Sequence, residues 1–261
     1  TSWRATCRLG WTTAPTPKGE NPHPYVAKKL ADEFPDELKA IIVATGRKRS
    51  PWQKVVKWWK RYTLPQLGSR IGVRLFRKFA GGNKRRREAF ERIFFPEGDS
   101  GLMPRRDLIQ VVPSHNVPQC LELLLELKPD IVAVYGTLII GKKVIAACPR
   151  MINVHTGYSP IYRGSDTIFW PLYNNDIDNL GVTVHRLDAG VDTGPILAHG
   201  KPAITVDDDE ALLWATATRL GAELLCGAIR REISGQAKPS QHDLARGRES
   251  RTVDLTLAAQ R

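Results

Sequence analysis

Cysteine is scarce in this chain, and the four that occur are far apart. Cys7, Cys120, Cys148 and Cys226 form no CxxC or other paired spacing, so neither a disulfide framework nor a metal site is indicated. No apolar run approaches the roughly 20 residues that a membrane-spanning helix requires. The N-terminus also lacks the apolar core of a secretory signal. We therefore expect a cytoplasmic protein, and a start at Thr1 leaves a processed, truncated or tagged end open.

Acidic residues are absent from one long stretch, 46–87, which holds 15 of the 39 Lys and Arg residues. The rest of the chain has 24 basic and 27 acidic residues, so the net charge of +12 arises in this stretch. Trp52 and Trp59 fall on one face of a predicted helix, and Leu75 and Phe79 on a second stripe. Three interpretations stay open: aromatic residues packed on the domain with solvated cations, contact with anionic membrane lipid, or contact with RNA.

The rest of the chain alternates short apolar runs with amphipathic segments, which is typical of an α/β fold. We predict a Rossmann-like domain at 1–233 with a mostly parallel sheet flanked by helices, a basic helical insertion at 46–106, and a loosely ordered tail at 234–261. Strands are predicted at 1–11, 38–45, 108–112, 129–135, 151–155 and 182–187. Helices are predicted at 25–34, 117–127, 165–173 and 204–231. The last of these helices is expected to begin with a capping box formed by Thr205 and Asp208.

Polar side chains occur where two predicted strands end. Asn153 and His155 are two residues apart on one strand and therefore share a face. The strand at 182–187 leads into a turn rich in Gly and Asp that contains Asp192. We expect the amide, the imidazole and the carboxylate to meet at strand ends, where α/β proteins usually place their chemistry.

Three motifs in this region resemble the catalytic domain of the folate-dependent formyltransferases, the family of the glycinamide ribonucleotide, methionyl-tRNA and sugar N-formyltransferases. The resemblance extends over about 112–226 and implies a formyltransferase fold with 10-formyltetrahydrofolate as co-substrate. The motifs are Asn153-Val-His155, Pro160-Ile-Tyr-Arg163-Gly164 and Gly190-Val-Asp192-Thr-Gly194, in the family's order and at similar spacing.

The resemblance implies that Asn153, His155 and Asp192 are catalytic. Formyl transfer to an amine passes through a tetrahedral carbon with an oxyanion, and the substrate itself supplies the nucleophile. Asn153 can donate an N–H to the oxyanion, and His155 can exchange a proton near neutrality or donate to that oxygen. Asp192 can orient the imidazole or accept the amine proton. Each residue type also occurs in ordinary turns and cores, and the combination favours catalysis.

The resemblance also implies a set of binding residues and one difference from the family. Thr156-Gly157 replaces the Pro-Ser that is common after the histidine, so the identity of the acceptor does not transfer from other members. His185 and His199 have no motif partner and are interpreted as structural. Co-substrate contacts are expected from Tyr135, Gly136, Thr137, Leu138, Ile139, Asp188, Gly190 and Val191, and amine-substrate contacts from Tyr158 and Arg163.

The sequence thus predicts a one-carbon transferase that formylates a small-molecule amine, such as an amino sugar or a hydroxylamine-bearing amino acid. Hydrolysis of 10-formyltetrahydrofolate and non-catalytic binding on the same fold are the alternatives. The segment 12–24 shows no pattern typical of a loop that binds phosphate through backbone N–H groups, which argues against a nucleotide-type substrate. Fewer residues follow 233 than a tRNA-binding domain requires. An oligomeric state is not indicated.

Overall fold

A seven-stranded sheet runs through the part of the chain that the computed structural model describes. Its strand order is β3-β2-β1-β4-β5-β7-β8; the pairs from β3 to β5 are parallel, and the β5–β7 and β7–β8 pairs are antiparallel. The strands are β1 Leu9–Thr13, β2 Leu38–Ala44, β3 Ile109–Val112, β4 Ile131–Tyr135, β5 Met151–His155, β6 Tyr162–Gly164, β7 Val182–Arg186, β8 Ile196–Gly200 and β9 Arg248–Ser250. The described residues are 9–13, 22–46, 50, 52–53, 56, 59, 62–79, 82–96, 103–148, 150–252 and 254–256.

Helices cover both faces of this sheet. Alternate residues of a strand point to opposite faces, so Ile131 and Ala133 of β4 pack in one apolar cluster while Val132 and Val134 pack in another. The predicted architecture, a mostly parallel sheet flanked by helices, is confirmed. The helices are α1 His23–Glu33, α2 Leu64–Phe79, α3 Gly82–Phe94, α4 Pro118–Leu127, α5 Lys142–Ala146, α6 Phe169–Tyr173 and α7 Glu210–Ile233.

Helix α7 is the longest described helix and supports the sheet from one side. By length and composition it is apolar enough to cross a membrane, which the sequence reading did not expect. Eleven of its 24 residues are buried in the fold, among them Leu213, Leu225 and Ile229. Its apolar character is therefore explained by core packing against β5, β7 and β8.

Two local predictions were wrong, and one strand was not predicted. Helix α7 begins at Glu210, after Asp209 accepts a hydrogen bond from the Leu212 amide; Thr205 and Asp208 do bond, but they close a preceding turn. Only Phe169–Tyr173 of 165–173 is helical, because Asp166 has a φ of 57°. Strand β8 was missed, since it lies at the sheet edge and only one of its residues is buried.

Part of the predicted tail pairs with strands of the domain, and part of the predicted helical insertion packs on it. Strand β9, within the predicted tail, pairs in parallel with β6, and Ser240 exchanges two backbone hydrogen bonds with Ile196 at 2.8 and 2.9 Å. In the insertion, Phe90 and Phe94 of α3 pack near Trp214 of α7, whereas Phe79 of α2 remains 82% exposed. Among the described residues of the insertion, aromatic packing on the domain is therefore seen at α3 and at Phe95, which follows it. Most of the predicted first strand, 1–8, lies outside the described residues.

Candidate active site

Asn153 and His185 face each other across the pair of strands β5 and β7. They are directly opposite in the antiparallel register, so their side chains share one face of the sheet. The Asn153 Nδ2 atom lies 3.2 Å from His185 Nε2, and His185 Nδ1 lies 2.9 Å from the Arg186 carbonyl oxygen. His155, two residues along β5, lies on the same face. The strand pairing therefore gathers one amide and two imidazoles.

The Asp192 carboxylate lies between the two imidazoles. Its Oδ2 atom is 3.3 Å from His155 Nδ1 and its Oδ1 atom is 3.4 Å from His185 Nε2. The backbone N–H of Gly164 also donates to Oδ2, at 3.0 Å. Asp192 has a φ of 51°, in the left-handed region that non-glycine residues seldom adopt. A sparsely populated backbone conformation at such a position is a feature often found at functional sites.

The loop after β7 carries Asp192 back to this cluster. Because β7 runs antiparallel to β5, its last residue, Arg186, is opposite Ile152 and not opposite the His155 end. The chain must therefore reverse, and the Asp188 carboxylate stabilises the reversal by accepting from Gly190 N at 3.0 Å and Thr193 Oγ1 at 2.7 Å. The structure thus brings His155 and Asp192 within 3.3 Å and joins Asn153 to Asp192 through His185, but strand-end placement does not explain Asp192.

The loop after His155 is fixed by a buried threonine. The Thr183 hydroxyl donates to the Gly157 carbonyl at 2.7 Å and accepts from the Ser159 N–H at 2.9 Å. A Cβ at position 157 would overlap the His155 ring and lie 2.7 Å from Thr167 Cβ. The packing around position 157 thus gives a steric reason for the glycine there.

Burial and neighbouring charges set the protonation of the His155 and Asp192 pair. Burial is the main cause that lowers the pKa of His155, while the Asp192 carboxylate raises it. Burial raises the pKa of Asp192, but the nearby His155 and His185 imidazoles and the hydrogen bond from Gly164 outweigh it, so that pKa lies below its ordinary value. At neutral pH we expect an ionised Asp192 beside a neutral His155.

His155 has an acceptor at each ring nitrogen. Its Nε2 atom lies 3.1 Å from the Tyr162 carbonyl oxygen, and its Nδ1 atom faces Asp192. A neutral imidazole has one N–H and can satisfy only one of these acceptors, whereas an imidazolium satisfies both. The surroundings of His155 are thus arranged to stabilise a proton that it gains transiently. In this conformation Nε2 points to the carbonyl, so direct donation from His155 to a substrate oxyanion is not the geometry observed.

The segment after β4, predicted to contact the co-substrate, emerges beside the end of β5. Tyr135 is paired with Val154, but its side chain is buried, and its hydroxyl lies 3.2 Å from Thr218 Oγ1. Only the backbone of Tyr135 is therefore available to a ligand. Gly136 has a φ of 59°, and Leu138 and Ile139 are each 78% exposed. Thr137, between Gly136 and Leu138, is partly exposed.

The second predicted co-substrate segment is the loop that bears Asp192. Gly190 is exposed and Val191 is partly exposed. The Asp188 carboxylate is already engaged within the loop. We therefore interpret Asp188 as a residue that shapes the loop.

The two predicted substrate residues flank the cluster differently. Tyr158 stacks on His199 with ring centroids 4.5 Å apart, and Lys201 Nζ lies 5.0 Å from the Tyr158 ring. Arg163 pairs through its backbone with Glu249 in the β6–β9 ladder. Its Nε atom is buried and has no hydrogen-bond partner among the described residues. A buried guanidinium nitrogen without a partner is a candidate contact for a ligand.

The sequence analysis missed two histidines at this site. His185, interpreted as structural, contacts both Asn153 and Asp192. His242, in the predicted tail, has its ring centroid 6.2 Å from that of His185, and neither ring nitrogen makes a hydrogen bond of ordinary geometry within the described structure. A polar residue in the apolar run 182–187 was the available signal for His185. Nothing in the sequence indicated that 234–261 returns to the site.

Comparison with known proteins identifies similar chains. Residues 109–229 match the model of the formyl transferase family. A methionyl-tRNA formyltransferase of Caldanaerobacter subterraneus subsp. tengcongensis is 30% identical over 161 residues, which make up 61% of this chain and 52% of that protein. The chain spans about half the length of the curated relatives it matches.

Solved structures of similar shape extend the comparison beyond this segment. Phosphoribosylglycinamide formyltransferase from Streptococcus pneumoniae superposes with a TM-score of 0.54 at 18% identity, over 87% of this chain and 99% of that one. WlaRD, a sugar 3N-formyltransferase studied in the presence of dTDP and 5-N-formyl-THF, gives 0.56 at 19% identity, over 96% of this chain and 71% of that one. These superpositions establish the shared fold, and the predicted formyltransferase fold is confirmed.

Proposed function

We propose that the protein transfers the formyl group of 10-formyltetrahydrofolate to a small-molecule amine, on the premise that residues 109–229, which match the formyl transferase family model, act as such a domain. The supporting observation is the convergence of Asn153, His155 and Asp192. His155 and Asp192 lie 3.3 Å apart, and Asn153 is joined to Asp192 through His185. An amide donor, an imidazole and an ionised carboxylate are the groups that formyl transfer to a neutral amine requires.

Asn153 is placed to stabilise the tetrahedral intermediate. The amine nitrogen forms a bond with the formyl carbon, and the carbonyl oxygen becomes an oxyanion. The Asn153 side chain has two N–H bonds. In the neutral form of His185, one of them is directed to Nε2 at 3.2 Å, which leaves the other for the oxyanion. A preorganised donor of this kind contributes about 3 kcal/mol to the transition state.

Asp192 and His155 are placed to hold the proton that the attacking amine loses. The Asp192 side chain is 14% exposed, so the cluster is not sealed from a ligand. When the pair takes up the proton, His155 becomes an imidazolium whose two N–H groups donate to Asp192 and to the Tyr162 carbonyl. The proton then passes to N10 of the folate as its bond to the formyl carbon breaks. The products are a formamide and tetrahydrofolate.

The co-substrate would bind beside the end of β4. A pterin is flat and largely apolar on its faces, and it would be bordered by exposed Leu138 and Ile139 and by backbone groups of Gly136 and Thr137. The loop with Gly190 and Val191 would form the opposite side. When bound, 10-formyltetrahydrofolate supplies the electrophilic formyl carbon. The protein would orient this carbon toward the amine, and Asp192 and His155 would hold the proton that the amine loses.

The acceptor is proposed to be a small amine that carries further polar groups, such as an amino sugar or a hydroxylamine-bearing amino acid. The buried, unpaired Nε of Arg163 favours a ligand with a hydrogen-bond acceptor. Tyr158, stacked on His199, offers an aromatic wall on the side of β8. A lone amine with no polar substituent would leave Arg163 without a partner.

The test is to incubate purified protein with 10-formyltetrahydrofolate and a panel of amines while following tetrahydrofolate absorbance. Release that requires an amine, and that is lost in Asn153→Ala, supports the proposal. Release without any amine would instead indicate a hydrolase. No release with any amine, at a level equal to Asn153→Ala, would indicate a non-catalytic binding protein, which a folate-analogue titration would then detect.

A further inference from the structure

Helix α2 exposes a continuous apolar stripe along its whole length. Leu64, Ile71, Leu75 and Phe79 are 68, 51, 49 and 82% exposed. They are spaced by seven, four and four residues, so they lie within an arc of about 80° on a helix about 24 Å long. Large aliphatic and aromatic side chains aligned in this way are seldom left in water.

The opposite side of α2 faces the protein. Val73, nearly opposite the stripe on the helix, is buried, and α2 contacts α3. Helix α3 is in turn fixed to α7, where Phe90 and Trp214 lie with ring centroids 4.8 Å apart. The stripe therefore points away from the sheet and the candidate active site, on a helix whose other side is docked.

Positive charge accompanies the stripe. Arg74 is exposed and Arg70 is partly exposed, with its guanidinium 4.7 Å from the Tyr62 ring centroid. Both lie to one side of the apolar arc. The stretch 46–87 contains no acidic residue, and Trp52 and Trp59, also within it, are 73 and 68% exposed. Large apolar side chains and two arginines thus lie side by side on α2, in a stretch whose sequence contains no acidic residue.

We propose that this face of α2 docks on an anionic lipid surface, with the exposed Trp52 and Trp59 of the same stretch as further contacts. An amphipathic helix lying in the plane of a bilayer buries its apolar face at the boundary between headgroups and acyl chains. Its flanking cations are attracted by the negative surface potential of anionic lipids. Trp is favoured at this boundary because its ring is apolar and its N–H is polar. A lipid surface accordingly matches both the apolar and the charged part of the face.

Two other occupants match it less well. A second copy of the chain would bring two sets of cations together, with no acidic residue in 46–87 to compensate them. RNA would pair with the cations, but the aliphatic side chains of Leu64, Ile71 and Leu75 contribute nothing to phosphate contacts and cannot stack on bases as aromatic rings do. Charge and apolar stripe together favour lipid.

The experiment is vesicle sedimentation with the full chain. Vesicles of phosphatidylcholine alone are compared with vesicles of phosphatidylcholine and phosphatidylglycerol in equal amounts. We expect pelleting with the anionic vesicles only, and we expect it to weaken as salt is raised. The double variant Leu75→Ser/Phe79→Ser should lower the partition coefficient by about tenfold or more. The double variant Arg70→Gln/Arg74→Gln should also lower it, by about 25-fold, since each cation contributes roughly fivefold.

The matched control is Leu125→Ser on helix α4. Leu125 is 54% exposed and lies outside the stripe, so this change should leave binding unchanged. Circular dichroism and thermal unfolding of each variant establish that the fold is retained. Equal pelleting of Leu75→Ser/Phe79→Ser and Leu125→Ser would overturn the proposal. Absence of pelleting with anionic vesicles at low salt would also overturn it. A dimer of the wild type that Leu75→Ser/Phe79→Ser abolishes would instead indicate a second copy as the occupant. Displacement of the protein from vesicles by RNA would indicate RNA.

Discussion

The Asn153 carboxamide and the His185 imidazole lie 3.2 Å apart across two antiparallel strands. With its proton on Nδ1, donated to the Arg186 carbonyl, the neutral His185 ring accepts from Asn153 at Nε2. The same Nε2 atom also lies 3.4 Å from the Asp192 Oδ1 atom. His185 therefore lies between the amide and the carboxylate and contacts both.

Replacing Asn153 by alanine tests the oxyanion donor. We expect the kcat of formyl transfer to fall by about a hundred- to a thousandfold, because the variant lacks the N–H that the oxyanion requires. Asn153 is only partly buried, so the free energy of unfolding should change by less than about 2 kcal/mol. Steady-state kinetics and urea unfolding measure the two effects separately. A kcat that stays within a few-fold of wild type would remove Asn153 from the chemistry.

His185 is expected to act by positioning. His185→Leu leaves the Asn153 amide and the Asp192 carboxylate without this neighbour, so kcat should fall by about ten- to a hundredfold while the KM for the folate stays nearly constant. His185→Gln retains a hydrogen-bonding side chain and should recover part of the loss. The pH profile of kcat should shift in both variants, because a neighbour of Asp192 is lost. If both variants lose the same stability and the pH profile of kcat does not shift, His185 has only a structural role.

Asp192 combines a charge with a left-handed backbone conformation. Asp192→Asn removes the charge but tolerates a φ of 51°, so activity should fall by at least about a hundredfold with little change in the free energy of unfolding. Asp192→Val should lose activity and also about 1–2 kcal/mol of stability, because a β-branched residue is strained there. Kinetics and urea unfolding of the two variants separate charge from backbone. Equal free energies of unfolding for Asp192→Asn and Asp192→Val would contradict the claim that the backbone conformation at position 192 disfavours a β-branched residue.

Gly157 is expected to be intolerant of any side chain. Gly157→Ala would place a methyl group against His155 and 2.7 Å from Thr167 Cβ and the Tyr162 carbonyl oxygen. We expect a loss of about 1–3 kcal/mol in the free energy of unfolding, together with lower activity because the His155 ring is displaced. The control is Gly68→Ala in helix α2, where no atom lies within 4 Å, and a gain of up to about 1 kcal/mol is expected. Similar effects at both positions would contradict this packing.

His23 is expected to make stability depend on pH. Burial lowers the pKa of His23 to about 4 from 6.5. The unfolded chain then binds the proton first as pH falls, so the stabilisation is complete above pH 6.5 and is lost as pH falls toward 4. Between pH 7 and pH 5 the free energy of unfolding should drop by about 2 kcal/mol on account of this residue. Urea unfolding of wild type and His23→Gln measures it; the variant should show a smaller drop, and an equal drop in both would contradict the assignment.

The local part of the site could be predicted from the sequence. Asn153 and His155 alternate with apolar residues, so their common face follows from the period of a strand. Asp192 was predicted from its motif. The expectation that the end of β7 would carry it to the end of β5 was wrong, because β7 is antiparallel to β5. The sequence alone does not specify that direction. The left-handed conformation of Asp192 likewise depends on the loop around it.

Tertiary contacts account for what sequence analysis missed. His185 became part of the site through the register of β7 with β5, and His242 through the return of the C-terminal segment to Ile196. Periodicity predicted an apolar stripe that includes Leu75 and Phe79, but whether such a stripe is buried depends on which side of the helix packs. That side is set by α3, whose Phe90 and Phe94 dock on the domain.

The transfer of label from donor to acceptor tests the account most directly. Purified protein is given 10-formyltetrahydrofolate with a ¹³C-labelled formyl group and the amine selected from the panel, and the products are analysed by mass spectrometry. The account predicts labelled formamide from the wild type and from Leu125→Ser, and at most about a hundredth of that rate from Asn153→Ala and Asp192→Asn. Label found in free formate, or equal labelling of the amine by wild type and both site variants, would contradict it.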